Sequence, residues 1–144
     1  MTDENWTAGG CHCGKVRFRT RLSNGLETAR RCDCSFCAMR GAVALSAAVE
    51  DFEVEQGRDT LTLYQFNTKV AEHWFCSHCG IYTHHRRRSD PSQFGINAAC
   101  LDGVSPFDFE CVPVNDGQTH PADRTDRKGM IVGYLRFEPA YAED

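Results

Sequence analysis

Seven of the nine cysteines in this 144-residue chain fall into three short clusters: Cys11-His12-Cys13, Cys32-Asp33-Cys34-Ser35-Phe36-Cys37 and Cys76-Ser77-His78-Cys79. Cys76 and Cys79, with Gly80 following, have the spacing of a zinc knuckle, in which the chain turns so that its amides face the sulfurs. Cys11 and Cys13 are closer together and also precede a glycine, Gly14. The two pairs supply the four sulfurs of a closed structural zinc site, which would staple the start of the chain to its middle. The central cluster offers three sulfurs and no fourth nearby. Its missing ligand is either remote (Cys100, Cys111 or a histidine) or is solvent and substrate. An open position of the second kind is what a reactive zinc requires. Four thiolates around a divalent ion leave a net charge of −2, and three leave −1.

Disulfide and redox readings fit less well. Nine cysteines is an odd number, and no βαβ pattern surrounds the Cys-x-x-Cys pairs as a thioredoxin-like motif requires. Cys34 and Cys37 would lie one turn apart at the start of a short helix, where unpaired amides lower a thiol's pKa. The segment Met1–Gly10 is polar and acidic, so no signal peptide is read there. No apolar run approaches the roughly 20 residues of a membrane helix. A cytoplasmic location follows, and that compartment keeps thiols reduced. The formal net charge of −4 argues against a nucleic-acid surface.

The elements that must position these sulfurs read mostly as short β-strands in one domain spanning residues 1–144. From Lys15 to Leu22 the alternation is strict, with Val16, Phe18, Thr20 and Leu22 on one face and basic residues on the other. Ala42–Val49 reads as either a buried strand or a short helix. Phe52–Gln56 reads as a strand stopped by Gly57. Thr60–Phe66 and Val70–Phe75 form a hairpin around Asn67-Thr68-Lys69. Tyr82–His85, Phe94–Ala99 and Met130–Phe137 complete the strands. The helix candidate is one turn from Cys34 to Arg40, ended by Gly41. Asp102–Gly129, with three prolines, reads as a long irregular loop.

The same residues resemble a known family. Gly9-Gly10-Cys11-His12-Cys13-Gly14-Lys15-Val16, Cys32-x-Cys34-x-x-Cys37, Phe75-Cys76-x-x-Cys79-Gly80 and Asn97-Ala98-Ala99-Cys100-Leu101-Asp102 follow in the order seen in the glutathione-dependent formaldehyde-activating enzymes. That family also includes centromere protein V. The resemblance implies an all-β, Mss4-like fold of zinc-stapled antiparallel sheets. It implies two zinc ions per chain, a structural one on Cys11, Cys13, Cys76 and Cys79 and a catalytic one on Cys32, Cys34 and Cys37. The chain departs from the family at Asp33, where members often carry histidine or asparagine. An acid there could alter the choice of thiol.

The expected activity is that of a zinc-dependent carbon–sulfur lyase. A small thiol, glutathione or a relative, would take the open position as a thiolate and attack formaldehyde or a related carbonyl, giving an S-hydroxymethyl adduct. The alternative is a zinc-stabilised protein-binding module without catalysis. Cys100, among small apolar residues, reads as a core thiol, and Cys111 as a passive loop thiol. His84 and His85 read as surface residues beside Arg86-Arg87-Arg88. Those arginines, with Arg30 and Arg31, could pair with the carboxylates of a peptide thiol. His120 reads as a surface loop histidine. Trp74, Phe75, Tyr64 and Phe66 are expected in the core.

Overall fold

In the computed structural model, which describes residues 5–118 and 131–141, three β-sheets are accompanied by one short α-helix at the surface. The strands β1 (Thr7–Gly10), β2 (Arg17–Thr20) and β6 (Phe52–Gln56) form an antiparallel sheet in the order β1-β2-β6. The basic-apolar alternation acts as expected: Val16, Phe18 and Thr20 are wholly buried, and Arg17 and Arg19 point outward to Asp102 and Glu53. A second antiparallel sheet has the order β5-β10-β9-β8-β7, from β5 (Ala44–Ala48), β10 (Gln93–Asn97), β9 (Tyr82–Arg86), β8 (Glu72–Cys76) and β7 (Leu61–Tyr64). β5 settles the strand-or-helix ambiguity, because each of its residues pairs with β10. β3 (Ser23–Leu26) packs near β5.

The third sheet, in the order β12-β11-β4, corrects the sequence reading. β11 (Cys111–Asn115) lies inside the stretch expected to be irregular, between β12 (Ile131–Arg136) and β4 (Arg31–Cys32). Pro113 is compatible with an inner strand because β4 pairs only with Val114 and Asn115. At Pro113 the sole neighbour is Tyr134 of β12, so no ladder bond on the β4 side is lost to its missing N–H. The hairpin loop is also longer than expected. It runs from residue 65 to 71, with Asn67 and Lys69 in the left-handed region. Among the described residues no helix is long and apolar enough to cross a membrane.

Phe18, Leu45, Ala47, Ile96, Ala98, Leu101 and Val112 form the main core, drawing on all three sheets. A smaller cluster of Val16, Cys11 and Cys76 sits under the knuckle. The four aromatics expected in the core lie elsewhere. Tyr64 is 45% exposed, Phe66, Trp74 and Phe75 are half-buried, and none of the four belongs to either cluster. The histidines differ in the opposite sense. His84 and His85 lie on β9, the middle strand of its sheet, and both sheet faces there are covered, so neither is a surface residue.

His84 packs against the Phe52 and Phe94 rings, with centroids 4.2 and 5.2 Å away, and Nδ1 meets Thr83 Oγ1 at 2.9 Å. Burial first, then Arg58, pushes its pKa down to about 3. The unfolded value is near 6.5, so the unfolded chain takes up a proton that the folded chain refuses. Stability from the neutral imidazole is complete above about pH 6.5 and is lost as the pH falls towards 3. Urea midpoints at pH 7 and pH 5 should therefore differ less in His84→Phe than in the parent protein. An equal difference in both would show that His84 does not drive the acid sensitivity.

Candidate functional site

Two turns bring the four outer sulfurs together. Cys11 and Cys13 lie between β1 and β2, and Cys76 and Cys79 end β8 and turn into β9. Their Sγ atoms lie within 4.8 Å of one another, so the group could hold a metal ion. Cys11 Sγ is 3.6 Å from Cys13 Sγ, which is 3.8 Å from Cys76 Sγ. Zinc–sulfur bonds of 2.3 Å at tetrahedral angles would separate sulfurs by about 3.8 Å, so these donors fit. Backbone amides point at the sulfurs. Val16 N–H donates to Cys11 Sγ at 3.3 Å, and His78 and Cys79 donate to Cys76 Sγ at 3.3 and 3.4 Å.

The three central sulfurs gather at the junction of β4 and α1 (Ser35–Arg40), again within 4.8 Å of one another. Cys32 ends the strand and Cys34 caps the helix. Its Sγ accepts from Cys37 N–H at 3.2 Å, and Cys34 N–H donates to Cys32 Sγ at 3.5 Å. Gly41 ends the helix in the left-handed conformation and donates its N–H to Cys37 O. Hydrogen bonds from Cys32 and Cys37, then the Cys37 and Phe36 amides, hold the Cys34 thiol far below the ordinary range. Cys32 is pushed up, first by its bond with Cys34. One thiolate is thus stabilised by its neighbours before any cation arrives. Neither Cys100 nor Cys111 joins the trio among the described residues. Cys100 is buried and donates to Tyr82 O at 3.3 Å, and burial raises its pKa to about 12. Cys111 is an exposed residue that starts β11.

A segment following β11 covers the trio. Asn115 pairs with Cys32, Asp33 N–H donates to Asn115 O at 3.2 Å, and Gly117 N–H donates to Asp33 Oδ1 at 2.7 Å. The Asp33 carboxylate thus fastens this strap. Gly117 leaves no room for a side chain, since an added Cβ would collide with Cys32 Sγ and stand 2.7 Å from Cys34 N.

The trio opens into a cavity of about 940 Å³ whose lining includes Arg30, Arg31, Arg40, Arg87 and Arg88, opposed by Asp33 and Asp116. An acidic chain has therefore placed a basic chamber beside its thiols. Arg30 is fixed by Thr28 O, Ala44 O and Ser46 Oγ, and Arg87 also reaches Ser46 Oγ at 3.3 Å. Arg86 lies over the Phe94 ring and does not line the cavity.

Sequence reasoning missed Arg40 and His73, and it placed His85 wrongly. Arg40 lies between the Tyr82 and Phe36 rings, 3.8 and 4.7 Å from their centroids, and NH2 donates to Cys37 Sγ at 3.4 Å. His73 rests against the rings of Phe36, Phe66 and His85, and burial followed by Arg40 lowers its pKa to about 4. Tyr82 Oη is 2.6 Å from His85 Nδ1. The three-residue step from Cys37 to Arg40 on one helix face was a usable signal for Arg40. His73 had none, because its place depends on the β8–β9 register. His120 lies outside the described residues.

The family described as "Glutathione-dependent formaldehyde-activating enzyme" matches residues 6–115. A Halomonas elongata protein named "Putative glutathione-dependent formaldehyde-activating enzyme" is 37% identical over 79 residues, covering 49% of this chain and 50% of its own length. The chain thus spans about half the length of that curated relative. A crystal structure of a Rhodobacter sphaeroides protein is 55% identical, with a TM-score of 0.73, and the match covers 74% of this chain and 98% of that one.

Because Gly117 stands directly against Cys32 and Cys34, Gly117→Ala should weaken cobalt(II) binding there several-fold and leave the four-sulfur cluster unchanged. Titration followed by sulfur-to-cobalt absorption separates the two. Unaltered binding at the trio would show that the strap does not hold it.

Proposed function

This chain belongs to the glutathione-dependent formaldehyde-activating enzyme family, and we propose that it is a zinc-dependent carbon–sulfur lyase. It would join a thiol such as glutathione to formaldehyde or a related carbonyl, and cleave the same bond in reverse. The observation that carries this reading is the unequal sulfur count, four in one cluster and three in the other, with the three facing a cavity. On this reading Cys11, Cys13, Cys76 and Cys79 hold a structural zinc. Cys32, Cys34 and Cys37 hold a second, whose remaining position admits the substrate. Zinc at the trio would supply a thiolate at neutral pH, because it stabilises deprotonated sulfur. The molecule would act as one zinc-binding domain over residues 1–144, in a reducing cytoplasm.

The chain's own groups prepare the encounter. The Cys37 amide and the Arg40 guanidinium donate to the cysteine sulfurs and spread their negative charge. Arg30, Arg31, Arg87 and Arg88 suit a thiol that carries carboxylates, since guanidinium forks match carboxylate geometry. The thiol gives up its proton and its sulfur lone pair forms the new bond to the carbonyl carbon. The C=O π pair moves to oxygen, which takes up a proton. Nothing is oxidised or reduced.

Magnetisation-exchange NMR of formaldehyde with glutathione tests the proposal. The native protein should raise the exchange rate and Cys34→Ser should return it to the protein-free rate, with the four-sulfur metal retained. Equal rates for native protein and variant would remove the enzymatic role for this pair of substrates. Metal analysis should find two zinc ions per native chain, and chelation should unfold the knuckle, because its sulfurs join segments 63 residues apart.

A further inference from the structure

The proposed reaction leaves negative charge on the carbonyl oxygen, and thiolates cannot stabilise it. A donor is needed on the far side of the reacting carbon. Resting on the reading above, we propose that His73 is that donor, a neutral imidazole whose Nε2–H binds the substrate's carbonyl oxygen as charge develops.

The argument begins with Arg40. Its NH1 lies 3.1 Å from His73 Nδ1. Guanidinium has only donors and stays charged, so Nδ1 must be the acceptor and carries no proton. A neutral imidazole then has its single proton on Nε2. Arg40 cannot swing away to permit the other tautomer without leaving the Tyr82 and Phe36 faces and Cys37 Sγ. The adjoining positive charge also opposes formation of an imidazolium. A neutral histidine acting as an electrophile is an established catalytic device.

The far side of the ring is available. His73 lines the cavity that the trio opens into. Among the described side-chain nitrogens, those both sealed from solvent and unpartnered are Arg40 Nε and Arg86 Nε. His73 Nε2 has no hydrogen-bond partner among the described residues and is not one of the sealed atoms, and His73 is among the residues that line the cavity. Phe36, Phe66 and His85 hold the ring in place. One guanidinium thus spans the gap between a sulfur of the trio and the imidazole. A carbonyl held in the cavity that both the trio and His73 line can meet the Nε2–H there.

In the balanced step the sulfur lone pair becomes the S–C bond and the C=O π pair becomes a lone pair on oxygen. His73 Nε2–H stabilises that oxygen without surrendering its proton, and the alkoxide is protonated by water. Such preorganised donors carry a large share of catalysis where water is excluded.

Two measurements on the zinc-loaded protein test this. Long-range ¹H–¹⁵N NMR of the native protein should show His73 protonated at Nε2 and bare at Nδ1 throughout pH 5–8. Turnover of glutathione with formaldehyde should fall on the order of 10²–10³-fold in kcat for His73→Phe, at unchanged thiol KM and zinc content. His73→Gln, whose amide can donate, should recover part of the loss. A native Nδ1–H tautomer, an imidazolium at pH 7, or a His73→Phe kcat equal to the native value would each overturn the inference. The inference falls alone if native protein is active and His73→Phe matches it. A native protein that does not accelerate the exchange overturns the enzymatic reading and this inference together.

Discussion

Convergence of sulfur from segments far apart in the chain is the constraint on which this structure depends. Sulfurs of Cys13 and Cys76, 63 positions apart, lie 3.8 Å from one another, and the Cys11–Cys76 neighbourhood includes its own small core around Val16. Holding four sulfurs so close is unfavourable once they ionise, since like charges at that range repel strongly. Inward-pointing amides relieve part of the repulsion, and a bound cation would relieve the rest. The geometry suits a cation, through which the β1–β2 and β8–β9 turns would be tied.

The central trio meets the same repulsion with different partners. A helix terminus, a strand end and a strap anchored through Asp33 crowd three thiols together. Arg40 adds a full positive charge that directly touches a sulfur of the trio. That guanidinium is held by aromatic faces, which fix its position without neutralising it. Its charge therefore acts on both neighbours at once, the Cys37 sulfur and the His73 ring.

Placement of charge also explains how an acidic chain presents a basic cavity. The surface pairs Arg17–Asp102, Arg19–Glu53 and Arg21–Asp51 balance one another near solvent. In the cavity, Arg30 is instead hydrogen-bonded to Ser46 Oγ and to backbone carbonyls, and Arg87 to Ser46 Oγ, all neutral partners. Net charge says little here, because location decides what an ion approaching the trio encounters.

Local chemistry made much of this legible in advance. Ligand spacing follows from the turn geometry of a few residues, so the seven clustered cysteines and their four-and-three partition could be read directly. Helix ends obey short-range rules, so the turn from Cys34 to Gly41 was found. Strand alternation placed Val16, Phe18 and Thr20 correctly. What the residues alone could not decide were matters of register and of what covers each face. β11 was hidden because Pro113 forbids an inner strand unless the neighbouring strand stops short, and only the assembled sheet shows that β4 does. His84 and His85 looked exposed because the Arg86–Arg88 run follows them, yet the central position of β9 buries one against Phe52 and Phe94 and turns the other into the cavity. Gly117 pairs with Asp33 and His73 with Arg40 across 84 and 33 residues of chain, set by tertiary packing. The sequence determined which atoms could bind and react. Only the folded sheets decided which charges and donors would stand beside them, because those distances depend on contacts between segments that local rules do not link.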